Sequence, residues 1–167
     1  MNPGLFDPYL IFGVLNRHKV RYIVIGGIAA VLRGSPGITQ DLDICYARDI
    51  ENLERLASAL TELKARLRGP GVPDDPPFRL DAETLEAGDH FTFTTIGGDF
   101  DIMGTPAGTS GFKDLVGGAS RAAFDDEGVL VASLDDLIRM KTTAGRPKDL
   151  RDIELLRAIR EEEGRGG

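Results

Sequence analysis

The sequence predicts an α/β (α+β) protein: a small mixed β-sheet with flanking helices. Short apolar, β-branched runs at residues 20–25 and 129–131 read as buried strands. Residues 90–95 and 99–103 alternate about Gly97-Gly98 and read as an antiparallel hairpin. Between these strands, apolar side chains recur at helical spacing.

Taken in order, Asp7 is a helix cap with Pro8 at the first helical position, and Leu10, Ile11, Val14 and Leu15 give a helix over 8–18. The strand at 20–25 runs into Gly26-Gly27, a short helix over 28–32 follows, and Gly34-Ser35-Pro36-Gly37 makes a loop. The second strand covers 41–46. From Asp49 a helix with Leu53, Leu56, Ala57 and Leu60 on one stripe extends to about Leu67. Residues 69–77, with two glycines and four prolines, form the main irregular connection. After the hairpin, 104–111 is a loop. The strand at 129–131 leads to Ser133, which caps a helix carrying Leu134, Leu137, Ile138 and Lys141 on one face, with Asp136 in a short-armed capping box. Gly145 closes that helix. Pro147 opens the last one, with Ile153, Leu156 and Ile159 turned inward and fraying from Glu161. The organisation expected is one domain over 1–162 with a disordered tail at 163–167.

A chain of 167 residues, 41% hydrophobic and 28% charged, has the composition of a folded domain with a real core. No apolar run reaches the ~18 residues of a membrane helix, and no basic segment precedes an apolar one at the N-terminus, so the expectation is a cytoplasmic protein. The lone Cys45 cannot make an internal disulfide and sits where packing, not thiol chemistry, is expected. His18 and His90 have no partner at catalytic or metal-binding spacing and read as structural. A net charge of −7 argues against a general nucleic-acid binder. Between Arg139 and Arg160, however, seven cations stand against three acids, so one face is locally basic.

The chemistry lies in two spaced signals. A strand ending in Gly26-Gly27 and leading into a helix can bring backbone N–H groups to an anion, although glycine pairs more often just make turns. Asp41-Leu42-Asp43-Ile44 follows. On a strand Asp41 and Asp43 share one face while Leu42 and Ile44 face the core. Two like charges at the end of a buried strand are costly without a cation, and hard carboxylate oxygens suit Mg²⁺. A third carboxylate is available at Asp101, between Phe100 and Ile102. Asp99, beside the Gly-Gly turn, reads as solvated. Three such carboxylates accommodate one metal ion or two.

Ile25-Gly26-Gly27, Asp41-Leu42-Asp43-Ile44 and Phe100-Asp101-Ile102, in this order, resemble the nucleotidyltransferase fold of the DNA polymerase β superfamily. The stretch from Leu134 to Lys141, with Gly145-Arg146-Pro147-Lys148-Asp149-Leu150-Arg151-Asp152, is similar to the AbiEii/MenT-type toxin nucleotidyltransferases. The resemblance implies a minimal nucleotidyltransferase fold and Mg²⁺-dependent transfer of NMP from an NTP such as ATP to an acceptor hydroxyl. Gly26 and Gly27 would hold the triphosphate, and Asp41 and Asp43 the metal. Asp101 would be the third ligand or the base. Lys141 would contact the triphosphate, with Arg146, Asp152 and Thr39 near the nucleotide. It further implies tRNA or another RNA as acceptor, a toxin role and a cognate antitoxin as partner. The second glycine stands where many members have serine, and thirteen residues separate Gly27 from Asp41, slightly more than is common. Two competing expectations are a non-catalytic nucleotide- or partner-binding module on the same fold and a metal-dependent phosphohydrolase.

Overall fold

The computed structural model describes residues 5–69 and 79–166. Helix α1 (Pro8–Arg17) is capped by the Asp7 carboxylate, which accepts from the Leu10 N–H at 3.2 Å. Strand β1 (Tyr22–Ile25) is buried throughout, as its apolar composition requires. Helix α2 (Gly26–Leu32) begins at the first glycine, so the glycine pair forms the helix's first turn instead of preceding it. Strand β2 (Asp41–Tyr46) follows, then α3 (Ile50–Glu62), capped by Asp49.

The expectation that α3 runs to Leu67 is not met. Lys64 adopts a left-handed φ of 54°, with its N–H on the Thr61 carbonyl and the Ala65 N–H on the Leu60 carbonyl. This is a Schellman ending built on lysine where glycine is usual. α1 ends the same way: Lys19 has φ 59° and the Val20 N–H reaches the Leu15 carbonyl. The chain then forms the short strand β3 (Arg66–Leu67), which the periodicity did not announce. Apart from Gly69, the connection expected at 69–77 lies outside the described residues.

Helix α4 (Ala82–Ala87) precedes the hairpin of β4 (His90–Thr95) and β5 (Gly98–Met103). Helix α5 (Phe112–Val116) and strands β6 (Ser120–Ala122) and β7 (Val129–Val131) come next. Helix α6 (Leu134–Ala144) has the Ser133 hydroxyl on the Asp136 N–H at 3.0 Å and ends at Gly145, with φ 63°. Helix α7 (Asp149–Gly166) continues through Glu161 and into the segment expected as a tail. Glu161, Glu162 and Glu163 are good helix formers, and Arg160 ties the helix to Asp135 at 2.8 Å.

The seven strands order as β3-β4-β5-β2-β1-β7-β6 in one mixed sheet, flanked by the helices as expected. β2 lies inside it, antiparallel to β1 and parallel to β5. The core gathers Leu42, Ile44, Phe93, Phe100 and Ile102 from the sheet with Phe12, Leu53, Leu56 and Leu60 from α1 and α3. α6 packs on α2 and α7. Among the described residues no helix is long and apolar enough to cross a membrane.

Candidate active site

Register brings the acids together. In the parallel pairing of β2 with β5, Asp43 stands opposite Asp101. In the antiparallel pairing with β1, it stands opposite Ile25, the residue before the glycines. Leu42, Ile44, Phe100 and Ile102 are fully buried, and the aspartates between them are half-buried on the other face. Asp41, Asp43 and Asp101 each offer a carboxylate oxygen, and these oxygens lie within 4.8 Å of one another.

Such a cluster is electrostatically loaded. Burial, then the charges of Asp41 and Asp101, push the Asp43 carboxyl up to about 8, with a side-chain hydrogen bond to Asp101 assisting and Lys141 opposing. Asp101 is raised too, chiefly by burial, and Arg68 counteracts this. Arg68 was not anticipated. It donates to the Asp101 carboxylate through Nη2 and to the Phe93 carbonyl through Nε at 3.1 Å, and its Nε stands 3.7 Å from Asp99. Its backbone N–H donates to the Thr92 carbonyl, and the Thr92 hydroxyl donates to its carbonyl, so the arginine is fixed on β4. The segment reads as the end of a helix in sequence, which hid this placement.

The glycines serve these side chains. A Cβ on Gly26, whose φ is +67°, would lie 2.2 Å from the Asp43 Oδ2; one on Gly27 would lie 2.9 Å from the Thr39 Oγ1. The missing side chains therefore admit Asp43 and Thr39, a reason that differs from the close phosphate approach expected from sequence. Thr39 in turn donates to the Asp41 carbonyl at 3.1 Å and lies 3.3 Å from its Oδ1.

Opposite the acids, Lys141 Nζ donates to Asp152 at 3.1 Å and to Asp149 at 3.5 Å. Arg146 holds Asp149 through Nε at 2.9 Å and Nη2 at 3.3 Å. Asp149, only 1% exposed, is the hub of this group, and the hydrogen bond from Arg146 leads the effects that hold its carboxyl below the usual range. In the sequence Asp149 belongs to the Gly145–Asp152 block and carries no expected role of its own. The one available signal was an acid two residues after Pro147, at the start of a helix.

Two cavities flank this arrangement. The first, about 470 Å³, is lined by Gly27, Thr39, Gln40, Lys141, Arg146 and Asp152 among others. The second, about 460 Å³, is lined by Gly26, Asp43, Asp101, Arg68 and His90, and by apolar residues of α6 and of the loop after β5. Asp41, Gly27, Lys141, Arg146 and Lys148 border both. All the site residues proposed from sequence thus border one or both cavities. His90, read as structural, lines the second. His18 instead contacts Glu62 at 2.9 Å, and Cys45 is buried, with burial leading the rise of its thiol to about 12.

No protein-family model matches the chain, and no curated protein matches it by sequence. Solved structures do match it in fold. The lincosamide antibiotic adenylyltransferase LnuA, in its lincomycin-bound form, superposes with a TM-score of 0.61 at 17% identity, over 93% of this chain and 99% of that one. ANT(2″)-Ia in complex with adenylyl-2″-tobramycin gives 0.57 at 15% identity, over 93% and 87%. A Thermotoga maritima protein provisionally classed as a nucleotidyltransferase gives 0.55 at 19%, over 92% and 89%. These likenesses show the nucleotidyltransferase fold. The narrower AbiEii/MenT resemblance rests on the Leu134–Asp152 sequence block alone.

Proposed function

We propose that the chain is a divalent-metal-dependent nucleotidyltransferase, moving NMP from an NTP to an acceptor hydroxyl with release of pyrophosphate. The observation that carries this reading is the convergence of Asp41, Asp43 and Asp101 on one spot bordered by Lys141, Arg146 and Lys148. The acids fit a metal: three hard oxygen donors lie together, and burial and the two neighbouring acids push the Asp43 carboxyl up to about 8, a load that a cation would relieve. Bound there, Mg²⁺ would neutralise charge at the transferring phosphorus.

The chain's own residues do the rest. Thr39 orients Asp41, and the space at Gly26 sets Asp43. Arg68 holds Asp101 in place. Lys141 and Arg146, positioned by Asp149, face the first cavity, where a triphosphate would meet them beside Gly27. Positioning and charge neutralisation are the whole contribution, with no covalent intermediate on the protein. The RNA acceptor, the toxin role and the cognate antitoxin are supported by the Leu134–Asp152 resemblance alone.

The test is transfer of label from α-labelled NTPs into a cell extract with Mg²⁺. Wild type should label acceptor and release pyrophosphate, and the Asp41→Ala, Asp43→Ala double variant should do neither. Equal labelling by both proteins sinks the reading, and nucleotide binding without pyrophosphate release returns the binding module.

A further inference from the structure

Three cations border both cavities, and the fold does not engage them alike. Lys141 is shared among Asp149, Asp152 and the acid cluster, where its charge opposes the rise of the Asp43 carboxyl. Arg146 gives Nε and Nη2 to Asp149. Arg68, on the second cavity, is engaged by Asp101, Asp99 and the Phe93 carbonyl. Lys148 differs: among the described residues its side chain has no hydrogen-bond or ion-pair partner.

At the junction of α6 and α7, then, two carboxylates stand against three cations, and the charge left over is the Lys148 ammonium. An anion arriving at Lys141 or Arg146 meets carboxylates that already hold those donors, and their repulsion offsets part of the attraction. At Lys148 no internal acid has to give way. The lysine also stands on a fixed base. The Asp149 N–H donates to the Arg146 carbonyl at 2.9 Å and the Leu150 N–H to the Pro147 carbonyl at 3.3 Å, with proline restricting the backbone just before Lys148. From that base extends a flexible arm with a compact charge and three donors, which binds phosphate as a point charge without demanding one geometry. Gly27 and Asp41 border the same two cavities, so Lys148 meets a phosphate chain beside them whichever cavity receives it.

Resting on the transfer reading above, we infer that Lys148 is the residue that captures the nucleotide's polyphosphate, as the cation of the two cavities that no internal acid matches. Lys141 and Arg146 are the structured part of the same border, held by Asp149 and holding it in return.

The experiment titrates the full chain with each NTP and, separately, with inorganic tripolyphosphate, all with Mg²⁺, by calorimetry. Lys148→Met should weaken binding of NTP and of tripolyphosphate alike by about tenfold, equivalent to ~1.4 kcal/mol. Lys148→Arg should restore both. The urea midpoint of Lys148→Met should match wild type, because no internal contact is lost, whereas that of Arg146→Met should fall as Asp149 loses a partner. Unchanged affinity in Lys148→Met, or weakened NTP binding with tripolyphosphate unaffected, overturns the phosphate role and leaves the transfer standing. So does a urea midpoint of Lys148→Met lowered to that of Arg146→Met, which would make the lysine structural. Failure of the wild-type chain to bind any NTP overturns both.

Discussion

At Gly26 a left-handed φ of +67° coincides with a carboxylate oxygen 2.2 Å from where a Cβ would sit. Gly26→Ala should therefore cost more than the ~1–2 kcal/mol of a left-handed residue alone, since Asp43 must also move. Urea denaturation reads the stability loss, and weakened Mn²⁺ binding reads the displaced ligand. Asp43 itself makes stability depend on pH. Its folded carboxyl titrates near 8, above the ordinary value of 3.8, so folding favours the protonated form. That stability is fully present below pH ~4 and is lost as pH rises through about 8. The Tm of the metal-free protein should fall over this window, with a flatter profile in Asp43→Asn, and saturating Mg²⁺, which favours the ionised carboxylates, should remove the fall in wild type. The acids were legible because strand alternation fixes which side of β2 and β5 each one takes. Arg68 was not, because its partners lie 25 and 33 residues along the chain and only the β3–β4 pairing delivers it.

At the scale of elements, the junction of α6 and α7 holds the cations in place. Asp149 is buried while Arg146 and Lys141 still reach water, so the group is a half-solvated network. Asp149→Asn should cost about 2 kcal/mol, less than the ~3–5 kcal/mol of breaking a fully buried pair. Transfer should show a raised KM for NTP, by about tenfold, if the two cations lose their aim. A KM unchanged alongside the stability loss would make Asp149 purely structural. Helices with a cap and a stripe, α1, α3 and α6, were readable from sequence. The end of α3 was not, since a lysine at the left-handed position carries none of glycine's signal. α4, α5 and β6 are too short for periodicity to register.

For the whole molecule, β2 is the strand to which the sheet and the site are both referred. It is hydrogen-bonded on both edges and carries two of the three acids. Its interior amides, Leu42, Ile44 and Cys45, should exchange with solvent among the slowest, and those of α7 beyond Glu161 among the fastest. Exchange of β2 as fast as that of α7 would contradict the architecture. Strand composition made the central strands visible from sequence. Their order, and hence the meeting of β5 with β2, comes from tertiary pairing.

Asp41 and Lys141 border both cavities, so the molecule has room for two occupants at once with their reacting ends against the same residues. For the proposed transfer this has a stereochemical consequence. One displacement, entered from one side and left from the other, turns the phosphorus inside out. An NTP made chiral at its α-phosphorus would give a product of opposite configuration, whereas passage through a nucleotidylated side chain would restore the original hand.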